Sequence, residues 1–251
     1  MQDYTNGKYL GVVDEHTAIA DQKYNGLVLS VNRRSAGGLT AGANYTLSKC
    51  TGLPTQGGGT PNVNSGYVDP TNPDYDRGPC DSDRRHNFNL TASAATPQFQ
   101  NKAARYLASD WRLSGIFRAY SGAPFSVTVN TDPARTAIGG QRANVSGDAY
   151  GDGSVQNYLN RAAFTDPAVG TYGNSGRNAF NGPGQRFLDF SLVRSFRFGN
   201  SQRLEARLES FNAFNWFQMN NPVSARNNPQ FGQIVSAGDP RIMQFAVKYQ
   251  F

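Results

Sequence analysis

The chain has 251 residues, 38% of them hydrophobic, with 27 glycines, 16 phenylalanines, 12 tyrosines and a formal charge of +6. No run approaches the roughly 18 consecutive apolar residues of a membrane-spanning helix, and glycine and aromatics at these levels suit turns and pleated strands. The 24 Lys and Arg lie scattered among 18 Asp and Glu, with no basic cluster longer than two residues, which argues against a nucleic-acid surface.

Residues 1–23 begin with the polar stretch Met1-Gln-Asp-Tyr-Thr-Asn, show no signal-peptide pattern, and alternate weakly around Tyr9 to Val13. They are predicted to be an extracellular loop or a preceding segment, in a chain that is the later part of a longer exported protein. Residues 24–34 place Leu27, Leu29 and Val31 on one face of a strand. The turn Ser35-Ala-Gly-Gly38 then leads into 39–49, where Leu39, Ala41, Ala43, Tyr45 and Leu47 share a face; the pair reads as a hairpin.

After a long loop, about 50–83, a strand over about 84–95 carries His86, Phe88, Leu90 and Ala92 in alternation. A medium, polar turn reaches 109–120, with Trp111, Leu113, Phe117 and Ala119 on one side. The longest loop, about 121–185, is rich in Asp, Asn and Gly. Strand 186–198 sets Leu188, Phe190, Leu192, Phe196 and Phe198 against Asp189, Ser191, Ser195 and Arg197, and Arg194 interrupts its apolar side. A tight Gly199-Asn-Ser201 turn gives a partner strand with Leu204, Ala206 and Leu208 opposed to Arg203, Glu205, Arg207 and Glu209. A last loop, about 215–239, precedes Met243–Phe251, where Met243, Phe245, Val247, Tyr249 and Phe251 occupy every second position.

About seven strands of 10–13 residues result, close to the roughly 9–11 that cross a bilayer at a tilt. Their connections run short, long, medium, long, short, long. Short turns on one rim and long loops on the other are the habit of an antiparallel up-and-down transmembrane β-barrel. The low mean hydropathy of −0.56 does not oppose this, because lumen-facing residues and outer loops of barrels are polar. Seven strands cannot close a bacterial barrel, and lipid cannot satisfy an open edge, so the segment reads as the C-terminal part of a larger barrel. A secreted or surface β-sandwich used for adhesion is the alternative.

Several residues could carry chemistry. Cys50 and Cys80, the two cysteines, bracket a Gly- and Pro-rich loop and form either a disulfide or two free thiols; their spacing does not suit zinc. Arg203, Glu205, Arg207 and Glu209 form a charged ladder predicted to face the lumen, either contacting a plug or solute or pairing structurally, with Arg197 opposite Glu205 if register allows. Asp74, Asp76, Asp81 and Asp83, and Asp148 with Asp152 around Gly151, lack the glutamate of a calcium loop and read as solvated turns, so no metal is expected. His86, near Asp81 and Asp83, and His16 are the two histidines, without a nucleophile elbow, so neither catalysis nor a cofactor is expected. Aromatics at strand ends fit an interfacial belt: Tyr106 and Trp111 on the periplasmic side, Tyr120, Phe214, Trp216 and Phe217 on the outer side.

A set of motifs adds a family resemblance across about residues 24–251. They are Asn44-Tyr-Thr-Leu-Ser-Lys49, Asp74-Tyr-Asp-Arg-Gly-Pro79, Asp83-Arg-Arg-His-Asn-Phe88, Ser121-Gly-Ala-Pro-Phe125, Gly173-Asn-Ser-Gly-Arg-Asn178, Gly182-Pro-Gly184, Glu209-Ser-Phe-Asn-Ala-Phe-Asn215, Phe231-Gly-Gln-Ile234 and Asp239-Pro-Arg-Ile-Met-Gln-Phe245. In order and spacing they resemble the C-terminal barrel of TonB-dependent outer-membrane receptors. The Oar-like branch, whose members carry a carboxypeptidase-regulatory-like domain, is the nearest. The resemblance implies a barrel of about 22 strands closed by a plug, embedded in outer-membrane lipid. It implies uptake of a siderophore, cobalamin, oligosaccharide or peptide, driven through TonB. No segment here matches a plug or a TonB box, so TonB would engage only through a missing N-terminal part. It further implies that Phe245, Val247, Tyr249 and Phe251 form the strand read by the barrel-assembly machinery.

Overall fold

The computed structural model describes residues 18–54, 67–198 and 202–251. The weak pattern at Tyr9–Val13, most of segment 1–23 with His16, the middle of the 50–83 loop and the Gly199–Ser201 turn lie outside the described residues. Seven long strands appear where alternation places them: β1 Gln22–Ala36, β2 Leu39–Gly52, β3 His86–Ala95, β4 Trp111–Tyr120, β5 Gln185–Phe198, β6 Gln202–Phe211 and β7 Ile242–Gln250. Each pairs antiparallel with its chain neighbour, and Gly78–Pro79 adds a two-residue eighth strand beside the end of β2.

The sequence period explains why this sheet has two unlike faces. Reading across the register, Val31, Ala43, Leu90, Phe117 and Leu188 lie in one row, and Ala94, Leu113, Leu192, Leu208 and Phe245 in another. Between them run polar rows such as Ser30, Asn44, Asn89 and Arg118, or Ser93, Ser114, Ser191, Glu209 and Gln244. A one-residue slip in any strand would send its whole apolar set to the polar side, so the register is strongly fixed.

The sheet is open. Among the described residues, β1 and β7 each pair on one side only, and no closed cylinder forms. A single sheet with small loop pairings also departs from the two packed sheets of a sandwich. Its apolar face stays bare: Val31, Phe245 and Val247 are each more than 70% exposed.

The three long connections meet at one end of the meander and the short ones at the other. The turn between β1 and β2 rests on Gly37 and Gly38, both at positive φ, and a Cβ on Gly38 would fall 2.5 Å from the Ala95 carbonyl oxygen. The medium turn holds a short helix, α1 (Lys102–Ala108), capped by the Asn101 side chain, which accepts from the Ala103 and Ala104 amides. Expected as a medium, polar turn, it contains a helix because the cap and a run of good helix formers coincide.

At the far end of β2, Cys50 and Cys80 are joined by a disulfide with Cα atoms 5.4 Å apart. Cys80 N–H also donates to the Cys50 carbonyl, and the Cys50 N–H to Asp83. β2 runs past Cys50 to Gly52, because Cys50–Gly52 still pair with Gln22–Tyr24 of β1. Replacing both cysteines by serine is expected to lower unfolding stability by about 3 kcal/mol in the loop-entropy picture. Chemical denaturation of the variant and parent side by side measures it, and a loss below about 1 kcal/mol would show the loop already held by its other contacts.

Candidate functional site: a polar wall under a packed loop cap

The polar face is a hydroxyl- and amide-rich wall. Ser30 donates to Asn44 (2.7 Å), Ser93 and Ser114 share a hydrogen bond (2.9 Å), and Arg118 pairs with Asp189 (3.0 Å). The sheet carries a groove of about 380 Å³ whose walls include Thr40, Thr91, Ser114, Ser191, Asp189 and Glu209 together with Ile116, Phe190 and Phe211, so that most of its exposed lining is apolar. Hydroxyls, amides and paired charges of this kind can hold water or a polar solute against the sheet.

The four ladder residues all point to this wall. Arg207 lies 2.8 Å from Glu205 and 3.6 Å from Glu209, and Arg203 lies 3.4 Å from Glu205, with Lys248 in register beside it. The charges thus neutralise one another along a single strand. Arg197 does not face Glu205. The hairpin sets Arg197 opposite Arg203 and Ser195 opposite Glu205, and Arg197 turns to Asp110 at 3.7 Å. Arg203 donates to Ser195, 2.6 Å away, which eases the like-charge pairing.

Above the wall, the long loops build a cap with its own apolar core. Phe125, Val127, Val129, Ala143, Leu159, Phe164, Phe180 and Phe231 are all buried there. Phe164 packs edge-on against both Phe180 and Phe231, each 5.3 Å between centroids. The core needs close backbone approach: a Cβ on Gly232, itself at positive φ, would sit 2.6 Å from the Leu159 carbonyl oxygen. Burial pushes the Tyr158 hydroxyl up to about 12, and the Ala137 amide hydrogen bond first among several holds the Asp132 carboxyl below its ordinary value.

A buried ion pair latches two loops of the cap. Asp76, in a short 3₁₀ turn, pairs with Arg142, and both side chains are almost wholly buried. Arg142 also donates to the Ser175 carbonyl (2.8 Å) and the Tyr75 carbonyl (2.7 Å), and its guanidinium lies 3.8 Å over the Tyr75 ring. The second Asp76 oxygen accepts from the Val68 amide. Desolvation in this nest raises the Tyr75 hydroxyl. Beside it, Arg177 and Asn178 both reach Asp81 at 2.7 Å, and Asn178 also reaches the Pro79 carbonyl.

The remaining aspartates serve similar ends. Asp74 pairs with Arg77, Asp83 accepts from Cys50, and Asp148 and Asp152 each accept the amide two residues on. Among the described residues no three metal-binding side chains converge. His86 is engaged by Tyr45: its Nδ1 lies 2.7 Å from the Tyr45 hydroxyl on the apolar side.

The aromatic belt is partly revised. Tyr106, Phe214 and Phe217 are exposed, and Trp216 packs on Phe117 and Phe214 under Arg186. Tyr120 belongs to the polar wall, tilted against Phe187 at 6.0 Å between centroids and below Arg84. The residue most central to the rim is one that alternation passed over. Asn212, at φ 48°, takes Asp189 on its amide, while its side chain ties the Trp216 amide and carbonyl to the Asp239 carbonyl. Its place in the Glu209–Asn215 motif, with a second Asn three residues on, was the available signal.

A continuous meander with one bare apolar face, one polar face and a packed cap at one end defines a wall of a transmembrane β-barrel. Residues 2–244 match the family model described as outer membrane beta barrel domain, and the chain belongs to that family. It is a protein of the bacterial outer membrane. No curated protein and no solved structure matches it.

Proposed function

We propose that the chain forms part of the barrel of a TonB-dependent, Oar-like outer-membrane transporter, with the cap as a section of its outer gate. The carrying observation is the open sheet with one polar face and with each edge strand paired on one side only among the described residues. Lipid requires those edges to meet further strands, so the wall belongs to a wider cylinder. A barrel of about 22 strands has a lumen that needs a plug, and a wall of neutralised charges and hydroxyls suits contact with one. The bulky solute would be a siderophore, cobalamin, oligosaccharide or peptide.

The motif resemblance supports this reading over a simple porin. β7 supports the assembly role of Phe245, Val247, Tyr249 and Phe251: the first three are more than half exposed on a strand with one free edge and Phe251 is exposed just past its end, ready for pairing by a barrel-assembly partner. The test is binding of the full protein, in detergent, to the soluble periplasmic domain of TonB, together with conductance in a planar bilayer. Micromolar binding and a closed resting pore are expected. A steadily open channel without TonB binding would mean a porin instead.

A further inference from the structure

Arg194 is out of place. Its neighbours at two-residue spacing on β5, Leu192 and Phe196, belong to the apolar face, and it stands in register between Trp111 of β4 and Ala206 of β6. A charge on the lipid side of a barrel is tolerated near the interfaces and disfavoured toward the midplane. Here the short-turn end of the sheet supplies the interface, since Trp111 opens β4 directly after α1.

The local surroundings hold the guanidinium without neutralising it. Its carbon lies 4.9 Å from the Trp111 ring centroid, 4.6 Å from that of Phe196 and 5.8 Å from that of Tyr106. One Nη donates to the Tyr106 carbonyl of α1, and Nε is buried without a partner. No carboxylate lies within ion-pair distance of Arg194 among the described residues; the nearby Asp110 is taken by Gln98 and Arg197. The other Nη is thus the donor left for an acceptor from outside. Around it, Tyr106 and Leu107 are 72% and 64% exposed, and Lys102 and Arg105 stand exposed on the same short helix.

We infer that Arg194, caged by Trp111, Phe196 and Tyr106, is a site for the phosphate of an anionic phospholipid in the periplasmic leaflet. An arginine snorkelling to an interface seeks such an oxyanion, and guanidinium–phosphate bonds are charge-assisted. The exposed Tyr106 and Leu107 would lie against the acyl chains, while Lys102 and Arg105 add attraction for net negative headgroups. The site rests on the barrel class alone and stands whether or not the protein is a transporter.

The test uses the full protein in nanodiscs containing photoactivatable phosphatidylglycerol or, separately, phosphatidylcholine with the same reactive group near its glycerol. Adducts are mapped by peptide mass spectrometry. Labelling of residues 102–112 and 186–198 should be about fivefold higher with phosphatidylglycerol, and Arg194→Gln should bring it to the phosphatidylcholine level. Equal labelling by the two lipids in the parent, or an unchanged preference in Arg194→Gln, overturns the site. If Arg194→Gln does not assemble, the parent decides through competition. Labelling that survives about 10 mM inorganic phosphate supports the lipid, and labelling abolished by it assigns the pocket to free phosphate and overturns the proposal.

Discussion

Asp76→Asn is expected to loosen the loop cap by about 3–5 kcal/mol, the loss typical of removing one partner from a buried ion pair. Asp76 and Arg142 are each 2% exposed, and the guanidinium is spread over three acceptors and a tyrosine ring. The amide would keep the shape and lose the charge, leaving Arg142 buried and uncompensated. Each 1.4 kcal/mol is tenfold in an opening equilibrium, so cleavage within the cap by a dilute protease should rise by roughly two to three and a half orders of magnitude. The strands should remain protected, because lipid and their ladders hold them independently. A paired replacement, Asp76→Leu with Arg142→Met, should recover much of the loss, since exchanging both charges for apolar groups is often neutral or better. Cleavage of Asp76→Asn within threefold of the parent would mean that the pair is not the latch between 67–83 and the 121–185 loop.

That latch was invisible in the sequence for a definite reason. Strands in a membrane face two solvents, so their residues must alternate, and alternation can be read directly from Leu188 to Phe198 or Met243 to Phe251. Parity even assigns Tyr120 correctly when counted from Trp111, although its place at a strand end suggested a belt. The cap has no period. Phe125, Phe164 and Phe180, far apart along one loop, and Phe231 from another meet only in three dimensions, amid Asx turns and glycines that read as solvated coil. The aspartates illustrate the limit: spacing excluded a calcium loop, yet nothing local marked Asp76 as the partner of a residue 66 positions away. Arg197 missed Glu205 because the strands pair with Phe198 opposite Gln202, and that register places Arg203 opposite Arg197 instead. Asn212 went unread because its work lies in a left-handed backbone and in hydrogen bonds to Asp189, Trp216 and Asp239, two of which are more than 20 positions away.

Phe164→Ala tests whether the cap is held by its own core. The ring is 1% exposed and bridges Phe180 of the middle loop to Phe231 of the last, and its backbone carbonyl accepts from Arg226, 2.9 Å away. Truncation should cost about 3–5 kcal/mol, because neighbours on two separate loops can collapse only partly into the void. Phe164→Leu should cost less, since it keeps most of the volume. Hydrogen exchange in intact nanodiscs reads the result by segment. Amides within 125–180 and 223–234 should exchange faster, while those of β5 and β6 stay unchanged. This division follows from where each apolar group sits. Leu192 and Leu208 face lipid, where burial against water no longer drives packing, so the sheet relies on hydrogen bonds and register. Phe164 sits in water-facing loops, where the hydrophobic effect is the main available cohesion. A Phe164→Ala variant whose strands loosened together with the cap would show the two parts sharing one cooperative unit, and the cap would then open only as the barrel wall itself gave way.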